Sequence, residues 1–284
     1  MNLFKDARDY QIICLCLFLL VGFFFRDWTL EISQIILTIF SCLFTQIILT
    51  SWIKFTNNQV ILNTYHLNFP GFFQKYLDFS GVKSALISGL GLSLLLRANK
   101  PEILILAGVM AISSKFLFTY HNKHFFNPAN FGIITSILLT HSAWVSPAQW
   151  GSERWYLLLF FCTGTMVSNK VGRWETSAIF LVVYSALQGF YNFYLGWDID
   201  VLTHQLMSGS LLVFAFFMLT DPRSIPNAQN SRIFWTILVA IISFILQQFF
   251  YVNGAIFYAL FIVSPLTIFF DIFWKENRFR WQEE

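Results

Sequence analysis

The sequence predicts an all-α polytopic membrane protein with about ten transmembrane helices and both termini in the cytoplasm. Three observations predict it. Of the 284 residues, 56% are hydrophobic and 12% charged, with a mean hydropathy of +0.61; a soluble domain carries about 25% charged residues. Apolar runs recur along the chain near the ~20 residues that a bilayer demands of a helix. The basic residues alternate between successive connections. The same composition excludes disorder, which needs low hydrophobicity, and nucleic-acid binding, which needs a dense basic surface rather than a net charge of +3.

Taken in order, the first run (10–25) follows a flank that mixes Lys5 and Arg8 with Asp6 and Asp9, and no small-residue cleavage site comes after it. It reads as a retained helix rather than a signal peptide. The second run is 32–52. A long connection, 53–81, then brings Asn57, Asn58, Pro70, Gly71, Phe72, Phe73, Lys75, Tyr76 and Asp78, too polar a mixture to span. An interfacial amphipathic segment, a lid and a partner-docking surface all fit it. Runs 82–96, 103–118, 131–145 and 155–167 follow. The first, third and fourth of these are short and interrupted by glycine or polar residues, which implies tilt, a break or cover by neighbours. Runs 176–195, 202–219, 233–252 and 255–274 carry the strongest span signal, and 275–284 is a tail. The chain is one membrane domain, 1–284, with its core at 82–274.

Cytoplasmic loops hold the excess of Lys and Arg. With ten spans, Arg26, Arg97, Lys100 and Arg154 fall on one side and the other fourteen of the 18 basic residues on the opposite side, which also receives both termini. Adding or removing one span scrambles that partition. Most basic residues are accounted for as topology anchors.

Three polar segments share the predicted cytoplasmic face: 121–132, 170–178 and 220–227. Each has a structural role available. Asn127-Pro128 is an N-cap followed by an N1 proline; Glu175 and Thr176 suit the first turn of a helix; Asp221-Pro222 opens a turn and stops the preceding helix. Together they also make a ligand site. Odd-numbered helices begin on this face, and their free N–H groups favour an anion or polar ring atoms. Lys123, Arg173 and Arg223 lie close by, and Phe125, Phe126, Phe131 and Trp174 offer stacking surfaces. Interrupted helices meeting at such a place are how membrane proteins build sites.

Other chemistry is sparse. The four cysteines (Cys14, Cys16, Cys42, Cys162) sit in apolar runs without zinc or disulfide spacing and read as buried, inert thiols. His121 and His124 read as exposed loop histidines, and no metal site is expected. Asp271 and Lys115 lie near helix ends and can reach the interface. Gln46, Gln188, Asn192, Gln247 and Gln248 are suited to hydrogen bonds between helices.

The string 123–130 (KHFFNPAN), the Glu175-Thr176-Ser177-Ala178 helix start and 217–224 (FMLTDPRS) resemble three signatures of one family. It is that of RnfD and NqrB, the flavin-carrying membrane subunits of the Rnf and sodium-pumping NADH:quinone oxidoreductase complexes. The resemblance runs from about Ser84 to Phe273 and is closest to a stand-alone, RnfD-like branch associated with enediyne biosynthesis. It implies an inverted repeat of five plus five helices in a cell inner membrane. It also implies a non-covalent flavin, riboflavin or FMN, with Asn127 and Asn130 as first contacts. Lys123, Phe126, Glu175, Thr176, Thr220, Asp221 and Arg223 complete the candidate set. The family also esterifies FMN to a threonine on the outer side; here the outer loop 145–154 holds no threonine, so covalent FMN is not expected. The implied function is electron transfer between a redox partner subunit and a quinone or second flavin. A transporter of a flavin or other flat molecule, and a non-redox assembly subunit, are the alternatives.

Overall fold

A computed structural model of the chain describes residues 6–25, 31–59 (side chains to 56), 78–147 and 155–279. Most of the 53–81 connection, the outer loop at 148–154 and the last residues of the tail lie outside the described residues.

The described chain is helical, with two short strand pairs. In order come α1 (Ala7–Phe24), α2 (Ile32–Gln59), α3 (Val82–Leu95), β1 (Leu96–Ala98), α4 (Pro101–Leu117), β2 (Thr119–Tyr120), β3 (Lys123–His124), α5 (Pro128–Thr140) and β4 (Ala143–Val145). Then follow α6 (Trp155–Val171), α7 (Trp174–Leu195), α8 (Ile199–Leu206), α9 (Gly209–Val213) continuing as a π-helical turn (Phe214–Met218), α10 (Gln229–Gln248), α11 (Ala255–Val263) and α12 (Leu266–Phe273).

Among the described residues, α1, α2, α7 and α10 are long and apolar enough to cross a bilayer. The pair α11–α12 is a fifth candidate, bent by 48° at Ser264-Pro265; a proline there has no N–H to continue the ladder. The expected run 202–219 is likewise not one helix: it divides into α8 and α9, with Met207 between them in a non-helical conformation. The expected segments 82–96 and 131–145 are shorter still, because their last residues leave the helix. Leu96–Ala98 and Ala143–Val145 pair antiparallel, Leu96 opposite Val145. This ribbon gives two broken helices the backbone partners that hydrocarbon withholds.

One face of α2 is a stripe of exposed Ile32, Ile36, Phe40, Phe44, Ile48 and Trp52, spaced by four, while Thr38, Ser41, Cys42, Thr45 and Gln46 turn inward. Apolar side chains outside and small or polar ones inside are what a lipid-facing helix requires, since burial against lipid gains nothing. The inward faces approach closely. Gly108 of α4 meets Ser41 of α2, and Gly132 of α5 meets the Ala107 carbonyl of α4. The buried core runs through α3, α5, α9 and its π turn, where Leu92, Ile133, Phe214 and Ala215 are sealed off. Cys14 and Cys42 are buried as expected, but Cys16 is only half-buried and Cys162 is exposed on α6.

Candidate functional site

The segment after α4 turns back through a hairpin, β2 to β3, whose central residues His121 and Asn122 both take positive φ, 47° and 59°. Such a turn suits the twist of two paired strands. The hairpin carries Lys123 and His124 inward, and Asn127 then caps α5, its Oδ1 accepting from the Asn130 N–H at 3.0 Å with Pro128 at the first position. The N-cap reading of Asn-Pro is met.

The loop after the π turn folds against this cap. Thr220 donates to the Phe216 carbonyl at 2.5 Å, and the Asp221 side chain accepts from the Arg223 N–H at 3.2 Å. Asn127 Nδ2 reaches the Met218 carbonyl at 3.4 Å and Asp221 Oδ2 at 3.5 Å. The result is a half-open cavity enclosing about 60 Å³. Asn127, His124, Thr220, Asp221 and Arg223 line it, with Arg8 and Gln11 of α1 and Ser84 of α3; Leu15, Val167, Val171 and Phe217 are its apolar walls. A second, larger cavity of about 990 Å³ lies toward the other end of α5, among Trp144, Tyr184, His204, Gln247, Tyr251 and Tyr258.

Of the nine residues expected from sequence, four (Asn127, Thr220, Asp221, Arg223) line the first cavity. The other five lie in the packing beside it. Asn130 is 0% exposed and donates to the Phe257 carbonyl of α11 at 3.1 Å. Phe126 meets Phe118 and Phe131 edge-on and Phe261 at a tilt, in an aromatic cluster. Lys123 Nζ donates to the Ile225 carbonyl at 2.6 Å, to Asn227 Oδ1 at 3.1 Å and to Asp271 Oδ2 at 2.6 Å. Glu175 pairs with Arg232 at 2.6 Å, and the Thr176 hydroxyl donates to the Arg173 carbonyl at 2.8 Å.

These side chains nonetheless belong to one network. Arg232 also donates to the Asn227 carbonyl, and the Asn227 N–H donates to Asp271 Oδ1 at 2.8 Å. Glu175, Arg232, Asn227, Asp271 and Lys123 therefore join the three polar segments in one chain of contacts. Asp271, expected near a helix end, is a member of this network, its side chain 14% exposed. The bend at Pro265 separates its helix from α11. Lys115 similarly points inward, donating to Ser84 Oγ at 3.2 Å.

His124 corrects the reading of an exposed loop histidine: it is 8% exposed, with Nε2 3.9 Å from Asp221 Oδ2. Burial pushes its pKa down, Asp221 opposing and Lys115 and Arg223 reinforcing. For Asp221, burial pushes upward, but His124, the Arg223 N–H and Ser224 outweigh it and hold the carboxyl below its ordinary value. Burial also lowers Lys123, against the pull of Asp271. A histidine kept neutral by folding binds its proton more readily when unfolded. Its contribution to stability is present above pH 6.5, the ordinary value, and is lost as pH falls through the lower folded value. The unfolding temperature in detergent is expected to drop between pH 7 and 5.5, and His124→Gln to flatten that part of the curve. An unchanged slope in the variant places the dependence elsewhere.

The expected helix–helix amide contacts are present in part. Gln188 donates to Gln247 at 3.3 Å and accepts from Gln248 at 2.5 Å, and Gln46 donates to the Ser80 carbonyl at 3.2 Å; the Asn192 side chain is buried and has no hydrogen-bond partner among the described residues. No group of three or more metal-ligating side chains occurs among the described residues. Sequence reasoning missed Arg8, Gln11, Arg232 and the inward turn of Asp271. In the sequence, Arg8 and Arg232 are indistinguishable from topology anchors.

A family model described as NQR2, RnfD, RnfE family matches residues 142–280, a stretch that starts later than the 84–273 of the expected resemblance. It takes in Glu175, Thr176, Thr220, Asp221, Arg223, Arg232 and Asp271, and it leaves out α1, Lys123 and Asn127. The comparison with curated proteins returns no match.

Proposed function

We propose, on the premise that residues 142–280 belong to the NQR2, RnfD, RnfE family, that this chain is a membrane electron-transfer subunit holding a flavin non-covalently at the Asn127–Asp221 cavity. The observation that carries the reading is the convergence of Asn127, Thr220, Asp221 and Arg223, drawn from two distant segments, on one cavity. The donor set fits the polar part of a flavin: the Asn127 amide and Arg223 guanidinium suit carbonyl oxygens or a phosphate. The enclosed 60 Å³ takes only that part. The reading leaves the ring system to the open side, where Leu15, Val167, Val171 and Phe217 supply apolar surface.

When bound, the flavin supplies the redox chemistry; the protein supplies position and electrostatics. Asn127 orients the polar edge while capping α5. Arg223, fixed by the Asp221 turn, supplies positive charge at the polar end of the ligand. The Lys123–Asp271–Asn227 contacts hold β3, the 220–228 loop and α12 together, so that the donors keep their mutual spacing. Partner subunits and a quinone are the proposed exchange partners. With no threonine in 145–154, no ester link to FMN is proposed.

An inverted repeat of five plus five helices, with both termini cytoplasmic, belongs to the same proposal. Supporting it, α1 packs on α3 as α6 packs on α9, α2 on α4 as α7 on α10, and α4 on α5 as α10 on α11. Arg8, Lys83, Lys115, Lys123, Arg223 and Arg232 gather at the helix-start end, and Arg97 sits in the ribbon at the other, the asymmetry of a cytoplasmic face.

The test is the absorbance spectrum of the purified protein in detergent before and after denaturation. A yellow chromophore, released at about one per chain, supports the reading. A chromophore-free protein that takes up neither riboflavin nor FMN overturns it. Asn127→Ser keeps a capping oxygen but removes the amide donor, and is expected to lower flavin occupancy at least about tenfold with the fold intact. Full occupancy in the variant removes Asn127 from the site.

A further inference from the structure

The cavity draws its cations from opposite ends of the sequence. Arg8, on the first turn of α1 and 8% exposed, lines it together with Arg223. Arg8 Nε donates to Asp6 Oδ2 at 2.7 Å, and Lys83 reaches Asp6 at 3.4 Å and Asp9 at 2.9 Å, so an ion-pair cluster holds the start of α1 against the start of α3. Lys115 approaches the same wall through Ser84. Asp221 is the one carboxylate among the described lining residues.

The backbone adds to this. Helices α1, α3 and α5 all begin at the cavity and bring Arg8, Ser84 and Asn127 to it. Their N-termini carry partial positive charge and free N–H groups. Helix α6 and the π turn end there and offset part of that field, which leaves the arginine side chains to decide its sign. The volume, about 60 Å³, is several times the ~10–15 Å³ that a cavity needs to hold one water, room for a phosphate-sized group. The larger cavity at the ribbon end differs: its described lining has no Lys or Arg, and His204 is its basic side chain.

We infer that the 60 Å³ cavity takes a terminal phosphate, a phosphomonoester dianion held by Arg8 and Arg223. The assignment rests on the reading that this site holds a flavin and sharpens it: the ligand is the phosphorylated flavin rather than riboflavin. A lipid headgroup with a terminal phosphate presents the same chemistry. Arg8 lies outside the stretch that matches the family model, so the selectivity is a property of α1 in this chain.

The experiment titrates the full-length protein in detergent with riboflavin and with FMN by flavin fluorescence, then competes each with inorganic phosphate and with short-chain phosphatidic acid. FMN is expected to bind about tenfold or more tighter than riboflavin. Inorganic phosphate should displace FMN but not riboflavin. Arg8→Gln should bring FMN down to the riboflavin level while riboflavin binding stays within about twofold, and Arg8→Lys should keep most of the preference. Equal binding of the two flavins by the unaltered protein overturns the phosphate site and leaves the flavin reading standing, whatever the variants do. Retention of the preference in Arg8→Gln removes Arg8 from it. Phosphatidic acid binding that depends on Arg8, with neither flavin bound, keeps the phosphate site, names a lipid as its source and overturns the flavin reading. Failure of every phosphate-bearing probe overturns the inference.

Discussion

Replacing Asp271 by alanine is expected to destabilise the protein by about 3 kcal/mol, at the lower edge of what removing one partner from a buried ion pair costs. The Lys123 and Asp271 side chains are 7% and 14% exposed and meet at 2.6 Å. Without the carboxylate, Lys123 keeps the Ile225 carbonyl and Asn227 Oδ1 but loses its ion-pair partner, with Asp221 the weaker charge left near it. The Asn227 N–H also loses its acceptor, Asp271 Oδ1. The double variant Lys123→Met/Asp271→Leu removes both charges and is expected to recover most of the loss, because the desolvation cost disappears with the attraction. Thermal unfolding in detergent, followed by circular dichroism, reads both. Wild-type stability in Asp271→Ala would mean that Lys123 reaches water.

Gly132→Val is expected to have the larger effect and to leave little folded protein. A Cβ at Gly132 falls 2.5 Å from the Ala107 carbonyl oxygen and 2.8 Å from Ala111 Cβ. The first neighbour is backbone of α4 and cannot turn aside as a flexible side chain would. Helices α4 and α5 must separate, at a cost above the ~1–3 kcal/mol of ordinary overpacking. Because α5 carries Asn127 and Ala129 at the cavity, ligand binding goes with the fold. Gly189→Ala is the matching control. Its Cβ would meet Leu202 Cδ2 at 3.5 Å, an ordinary contact, and alanine favours the helix by up to ~1 kcal/mol. Size-exclusion profiles in detergent distinguish the pair; a monodisperse, wild-type-like Gly132→Val protein would show that the α4–α5 contact is not this close.

What could be read from the sequence was local. Asn127-Pro128 announces a helix start because capping needs only residues three apart, and Thr220-Asp221-Pro222 announces a stop for the same reason. The basic-residue count needs no partner either, since charge against lipid is governed by depth. What escaped was long-range. Glu175 and Arg232 are 57 positions apart, and Lys123 and Asp271 are 148; no periodicity links them. Arg8 looked like a flanking charge because nothing around it states that α1 begins at the same place as α3 and α5. His124 looked exposed because a polar turn precedes it, yet the hairpin carries it inward. Five of the nine expected site residues turned out to pack beside the cavity rather than line it. A motif marks the neighbourhood of a site, and only packing decides which side chains face it.

The ten residues Gly209–Met218 are all buried, and at ~1.5 Å of rise per residue they extend about 15 Å, half a typical ~30 Å hydrocarbon layer. A stave walled in by protein on every side has no thickness to match. Only the outer helices sense the membrane's depth, and they answer a thinner or thicker bilayer by tilting. The π turn that ends this inner stave, and the Thr220–Arg223 loop hung from it, are thereby insulated from lipid composition, so a change of membrane reaches the cavity through its α1 wall, Arg8 to Leu15.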